Sequence, residues 1–147
     1  MISLPDVNVL LALAWGNHPH HEAAHQWFAG ASSAGWATCL LTQSGFLRLS
    51  LNPQVVKTSI DCQEAVDLLE AIINHPQHAY YDSAPPLTEA PFVELAQKIV
   101  GYRQVTDATL LHVAKAHGLK LVTFDQHAAS IASSDEDVEV LVSRRYL

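Results

Sequence analysis

Residues 106–125 read TDATLLHVAKAHGLKLVTFD, and this stretch decides the architecture. Thr106 to His117 has helical composition and runs up to Gly118, the residue type favoured just past a helix end. KLVTFD follows as a short apolar strand with an acid at its far end. A helix feeding directly into such a strand is one half-step of an α/β fold, and the rest of the chain supplies the others. Met1 to Leu4 is a strand candidate, followed by an apolar helix from about Val7 to Trp15 with Gly16 at its stop position. A second helix covers about His20 to Ala29, with Ala24, Trp27, Phe28 and Ala31 at i, i+3, i+4, i+7 spacing. Gly35 to Cys39 is a strand and Thr42 to Ser50 a helix. Asp61 to Asn74 is a strongly amphipathic helix, with Ala65, Leu68, Leu69, Ile72 and Ile73 on one face. His78 to Tyr81 reads as a strand, Ala90 to Val100 as a helix, and Val138 to Val142 as a last strand. Strands alternating with helices imply a parallel sheet covered on both faces.

At 147 residues, 49% of them hydrophobic and 16% charged, the chain is expected to fold as one domain over residues 1–147 with a real core. The near-apolar run Val7 to Trp15 is too short to span a bilayer. A basic n-region is lacking and Asp6 and Asn8 fall where a signal peptide needs apolar residues, so a cytoplasmic location away from membranes is expected. Cys39 and Cys62 form no C-x-x-C pair and are expected to be free thiols. The net charge of −7 argues against a nucleic-acid coat protein, which gains affinity from many phosphate contacts. It leaves room for a nuclease, whose carboxylate site is itself acidic.

In open α/β sheets ligands sit outside the carboxyl ends of the strands, so the polar residues there carry the functional information. After the first strand stand Asp6 and Asn8; after the second, Thr42, Gln43 and Ser44. Asp107 lies in the first turn of a helix, and Thr123 and Asp125 follow the KLV strand. Singly, Asp6 reads as a helix cap, Asp107 as a helix-dipole partner and Asp125 as a turn residue. Together they are costly. Two like charges about 4 Å apart repel by about 1 kcal/mol in water and roughly 4 at an effective dielectric of about 20. A divalent cation among them removes that cost, and hard oxygen donors without cysteine select Mg²⁺ or Mn²⁺ over zinc.

The arrangement PDVNVLLAL, then TQSGFLRLS, then TDATLLHVAKAHGLKLVTFD resembles a PIN domain, and more narrowly the VapC-type toxins of bacterial toxin–antitoxin systems. The resemblance spans nearly the whole chain and implies a three-layer α/β/α fold with about four to five parallel strands. It implies a magnesium-dependent endoribonuclease acting on structured RNAs of the translation machinery and leaving 5′-phosphate and 3′-hydroxyl ends. The matching acids are Asp6, Asp107 and Asp125, with Asn8 and Thr123 in support. It also implies a small antitoxin partner, whose carboxy-terminal segment covers the site, and a homodimer. One position departs from the pattern: Gln43 stands in a segment where most relatives carry an acid. An amide offers oxygen but no charge, so weaker metal binding is expected.

The stretch HPHHEAAHQWF, residues 18–28, contains a literal H-E-x-x-H zinc-peptidase signature. A third ligand is missing, since Phe28 stands where an extended motif needs glycine, and the peptidase reading is rejected. His18, His20, His21 and His25 are expected to be solvated residues at a helix start. Arg48, Lys98 and Arg103 are the candidates for RNA phosphate contacts. The proline-rich YYDSAPPLTEAPF is a candidate substrate or partner loop, and Trp15, Trp27 and Phe28 are candidates for a partner groove. Two other functions compete. A phosphatase would need a second acid where Asn8 stands, and a binding-only PIN module would take Gln43 as its mark of lost catalysis.

Overall fold

A computed structural model describes residues 1–142. The elements are, in chain order, β1 Ser3–Pro5, α1 Val7–Ala14, α2 His21–Ala31, β2 Trp36–Cys39, α3 Leu40–Ser50, α4 Pro53–Val56, α5 Cys62–Ile73, β3 His78–Tyr81, α6 Ala90–Ala96, α7 Val105–Ala116, β4 Lys120–Thr123, α8 His127–Ile131 and β5 Val138–Val140. The five strands form one parallel sheet in the order β3-β2-β1-β4-β5. β1 is central, pairing Leu4 with Leu121 of β4 and Ser3 with Trp36 of β2. The buried patterns of β1, β2 and β4 are those of strands covered on both faces, as parallel sheets require.

Helices cover the two faces separately. Phe92 and Leu95 of α6, Ala108, Leu110, Leu111 and Ala114 of α7, and Ala128 and Ile131 of α8 pack on Leu4, Ala37 and Leu121. On the other face Leu10 and Leu11 of α1, Phe46 of α3 and Leu69 of α5 enclose Trp36. The expected three-layer α/β/α architecture is therefore the observed one.

Local signals explain most element ends. Asp61 and Glu64 form a reciprocal capping box on α5, Asp61 Oδ1 accepting from Glu64 N at 2.8 Å. Lys57 ends α4 with φ 63°, and Gly118 carries φ +65° just past α7, a left-handed turn glycine allows without strain. α3 meets α1 so closely that a Cβ on Gly45 would lie 2.5 Å from Val7 Cγ2. Gly45 therefore sets the approach of the helix after β2 to the helix that starts at Asp6.

The sequence expectations miss in places. α3 begins two residues earlier than expected, at Leu40, because Thr42 Oγ1 accepts from Cys39 N at 3.0 Å and closes the first turn. α6 stops at Ala96 instead of Val100. α4 and α8 were not anticipated: four and five residues are too few to display a helical period, although Asn52-Pro53 is a readable start signal. Among the described residues no helix is long and apolar enough to cross a membrane.

Candidate active site

Asp6 leaves β1 and caps α1: its Oδ1 accepts from Val9 N at 3.0 Å. Its Oδ2 accepts from Thr123 Oγ1 at the end of β4, across the β1–β4 pairing. The same Thr123 oxygen accepts from Asp125 N at 3.0 Å. One hydroxyl thus ties the acid after β1 to the acid after β4. Asp125 also shows its turn role, with Oδ1 accepting from His127 N at 2.8 Å at the start of α8.

Asp6 is buried, and burial raises its carboxyl above the usual range, with a smaller push from Asp125; the bonds from Thr123, Val9 and Asn8 act against this. Asp107, in the first turn of α7, is pushed up to about 6, first by burial and then by the charges of Asp125 and Asp6. His127 works in the opposite direction. Asp107 thus feels the charges of Asp125 and Asp6, and Asp6 that of Asp125, at the carboxyl edge of β1 and β4. They do not form a finished ligand sphere: among the described residues no three His, Cys, Asp or Glu side chains are disposed, as they stand, to hold a metal ion. His127 is the residue that reading the sequence missed. Its signal is its position two residues after Asp125, where a helix start turns it back toward Asp107.

The remaining predicted residues separate. Gln43 reaches back to the sheet, its Nε2 donating to Thr38 Oγ1 at 3.0 Å, and that hydroxyl is 2.7 Å from His78 Nε2. Gly45, not Gln43, is the α3 residue pressed against Val7 beside Asp6. Asn8 is exposed, and its backbone N–H joins the cap on Asp6. Arg103 is exposed just before α7 and stacks over Tyr102 at 5.7 Å. Lys98 Nζ donates to Ala132 O at 3.3 Å, and Arg48 is exposed in the last turn of α3.

The histidines of residues 18–25 are not simply solvated. His21 Nδ1 donates to Ala12 O at 2.6 Å and His25 Nε2 to Leu13 O at 2.9 Å. Those carbonyls belong to the last turn of α1, which lacks intrahelical donors. HEAAH does place two imidazoles together, 4.3 Å between ring centroids, but they cap a neighbouring helix. His20 stacks on Phe124 at 4.4 Å, and His18 Nδ1 accepts from His20 N at 3.0 Å. Trp15, Trp27 and Phe28, candidates for a partner groove, are half-buried against the α1–α2 core, with Trp15 Nε1 donating to Ser50 Oγ at 3.2 Å.

Comparison with known proteins adds the following. The model of the PIN domain matches residues 3–134. Ribonuclease VapC38 of Mycobacterium tuberculosis is 41% identical over 131 residues, covering 89% of this chain and 90% of that protein. Ribonuclease VapC39 of the same organism is 40% identical over 141 residues, covering 96% of this chain and 100% of its own length. Among solved structures, VapBC2 from Rickettsia felis, bound to a DNA fragment from its promoter, superposes with a TM-score of 0.62 at 14% identity, covering 97% of this chain and 100% of that one. PAE2754 from Pyrobaculum aerophilum gives 0.56 at 23% identity, covering 95% and 84%. At these identities the structural matches speak for the fold.

Proposed function

The chain belongs to the PIN-domain family, among its VapC-type members, and from that premise we propose that it is a divalent-metal-dependent endoribonuclease and the toxin of a toxin–antitoxin pair. The observation that carries this is the state of Asp107: burial and two neighbouring acids hold its carboxyl at about 6. Perturbed acids facing one another at the carboxyl edge of a parallel sheet are what a cation-dependent hydrolytic site requires.

The donor set suits Mg²⁺ or Mn²⁺: three hard carboxylates from β1, β4 and α7, with neither free cysteine among them. Asp6, Asp107 and Asp125 would hold the ion. Asp6 is fixed by Val9 and Thr123, so closing the set falls to Asp107 and Asp125. When bound, the ion supplies charge to the scissile phosphate and acidifies a water for in-line attack. Thr123 keeps Asp6 and Asp125 in register with each other, and burial of Asp6 keeps competing water from its oxygens. Arg103, exposed beside the start of α7, would draw an RNA phosphate toward Asp107. Such a site is expected to cut structured RNA of the translation machinery, in the cytoplasm, in a homodimer silenced by an antitoxin. An acidic protein of charge −7 suits a basic antitoxin segment.

Gln43 favours a second reading, a catalytically weakened RNA-binding module, because its amide N–H is committed to Thr38. A phosphatase is disfavoured, since Asn8 cannot donate a proton. Incubation with structured RNA and with a phosphomonoester, in Mg²⁺ or Mn²⁺ and then in EDTA, separates the three. We expect RNA cleavage that EDTA abolishes, with no phosphate release from the monoester. Intact RNA in both metals, with RNA still bound, would establish the binding module instead.

A further inference from the structure

A groove of about 420 Å³ lies at the carboxyl edge of β2 and β3, between the start of α3 and the side of α7. Its apolar wall is made by Leu40, Leu41, Tyr81 and Val113, and Leu40 is 67% exposed although it is a leucine at a helix start. The strand order puts this groove directly beside the acids: β2 pairs with β1, which delivers Asp6. Two strand spacings, about 10 Å, separate the β2–β3 edge from the β1–β4 edge.

The polar part of the wall holds two acceptors beside the hydroxyls of Ser44 and Ser83. Asp82 is an exposed carboxylate at the rim. Thr109 also lines the groove, and its hydroxyl proton is committed to Val105 O at 2.7 Å, so its oxygen has only lone pairs to offer. The wall is also preformed. His112 Nε2 donates to Pro85 O at 2.7 Å and His117 Nε2 donates to Ser83 O, which lashes the loop after β3 to α7. The His117 ring lies against Tyr81, 4.7 Å between centroids.

An apolar slot with an aromatic wall and a carboxylate at its rim fits a splayed nucleobase, which is neutral and escapes the repulsion an acidic chain exerts on phosphate. The base edge that matches a carboxylate is one with two adjacent N–H donors, which is guanine. We propose that this groove is a subsite for a guanine of the RNA strand, lying beside the phosphate at the acids and selected by Asp82 and Thr109. The proposal rests on the ribonuclease reading but is tested apart from it, by binding in EDTA where nothing is cut. The probes are labelled oligouridine decamers carrying a central G, A or U. The wild-type protein is expected to bind the G decamer about tenfold more tightly than the other two. Asp82→Asn, at an exposed position, should bring the three affinities within about twofold of one another. Val113→Trp, which fills the groove, should do the same, with its fold checked by circular dichroism. Equal affinities in the wild type, or no binding, overturn the subsite. So does a G preference that survives Asp82→Asn, and so does a Val113→Trp protein that changes oligomeric mass while keeping the preference. Failure of the ribonuclease reading shows separately, as RNA left intact by the wild type in Mg²⁺ or Mn²⁺.

Discussion

The two ends of α1 carry the two polar clusters that the sequence makes conspicuous, and they are in opposite electrostatic states. At the amino end Asp6 caps the helix, yet burial and Asp125 still raise its carboxyl, and Asp107 nearby is pushed up to about 6. At the carboxyl end His21 and His25 donate to the Ala12 and Leu13 carbonyls and complete the helix. One end holds more like charge than its hydrogen bonds can settle. At the other the His21 and His25 donors are matched to carbonyls, while His20 Nδ1 is buried without a partner. Residual charge, and not the density of titratable side chains, marks the place where a ligand belongs.

The sharpest way to break this contrast is Asp107→Asn, which keeps the side-chain shape and removes the charge. Cleavage of RNA should fall about a hundredfold or more, because an oriented charge at the reacting phosphate is lost. Stability should move the other way. A carboxyl raised from 3.8 to about 6 holds its proton more tightly in the folded protein than in the unfolded chain. Its contribution is complete below about pH 4 and is lost as pH rises through about 6. The metal-free wild type should therefore lose Tm between pH 4 and 7 relative to Asp107→Asn, by on the order of 5 °C after allowing for solvent screening. Mg²⁺ or Mn²⁺ at pH 7 should restore the wild type and leave the variant unmoved. Parallel melting curves would mean that Asp107 carries no trapped charge.

The opposite result is expected at the other end. His21→Ala and His25→Ala each leave a helix-terminal carbonyl without its donor, at a cost of about 1–2 kcal/mol. Thermal melting should show this as a lower Tm, while cleavage measured well below the transition stays within about twofold of wild type. A loss of cleavage comparable to that of Asp107→Asn, at full folding, would make the two ends functionally alike and end the comparison.

What was legible in the sequence follows the same division. α5 was readable to within a residue at each end because its apolar face is periodic and Asp61 and Glu64 announce its start. Asp6 and Asp125 were readable because the strand that precedes each one is apolar and short, and Asp107 because it falls in the first turn of a helix. His127 was not, since nothing in FDQH says that the next turn is a helix folding the imidazole toward Asp107. The roles of His21 and His25 were also hidden: their acceptors are backbone carbonyls nine and twelve positions earlier, which only tertiary packing brings near. Gln43 was found but not its direction, because Thr38 competes for it from inside β2.

That competition makes Gln43→Glu the smallest and finest of the tests. The amide donates to Thr38 Oγ1, which is itself 2.7 Å from His78 Nε2, so a carboxylate at 43 removes one donor from a buried hydroxyl. The hydroxyl can turn its own proton toward the new carboxylate, which keeps the contact and reverses its direction. What changes is charge: a fourth acid joins three that already repel one another. In the apo protein this is unfavourable by a few tenths of a kcal/mol to about 1 kcal/mol, given partial exposure. With a cation present it is favourable, and the Mg²⁺ or Mn²⁺ concentration for half-maximal cleavage should fall several-fold. Titrating both metals against both proteins reads the difference directly. An unchanged midpoint would mean that residue 43 lies outside the field of the ion.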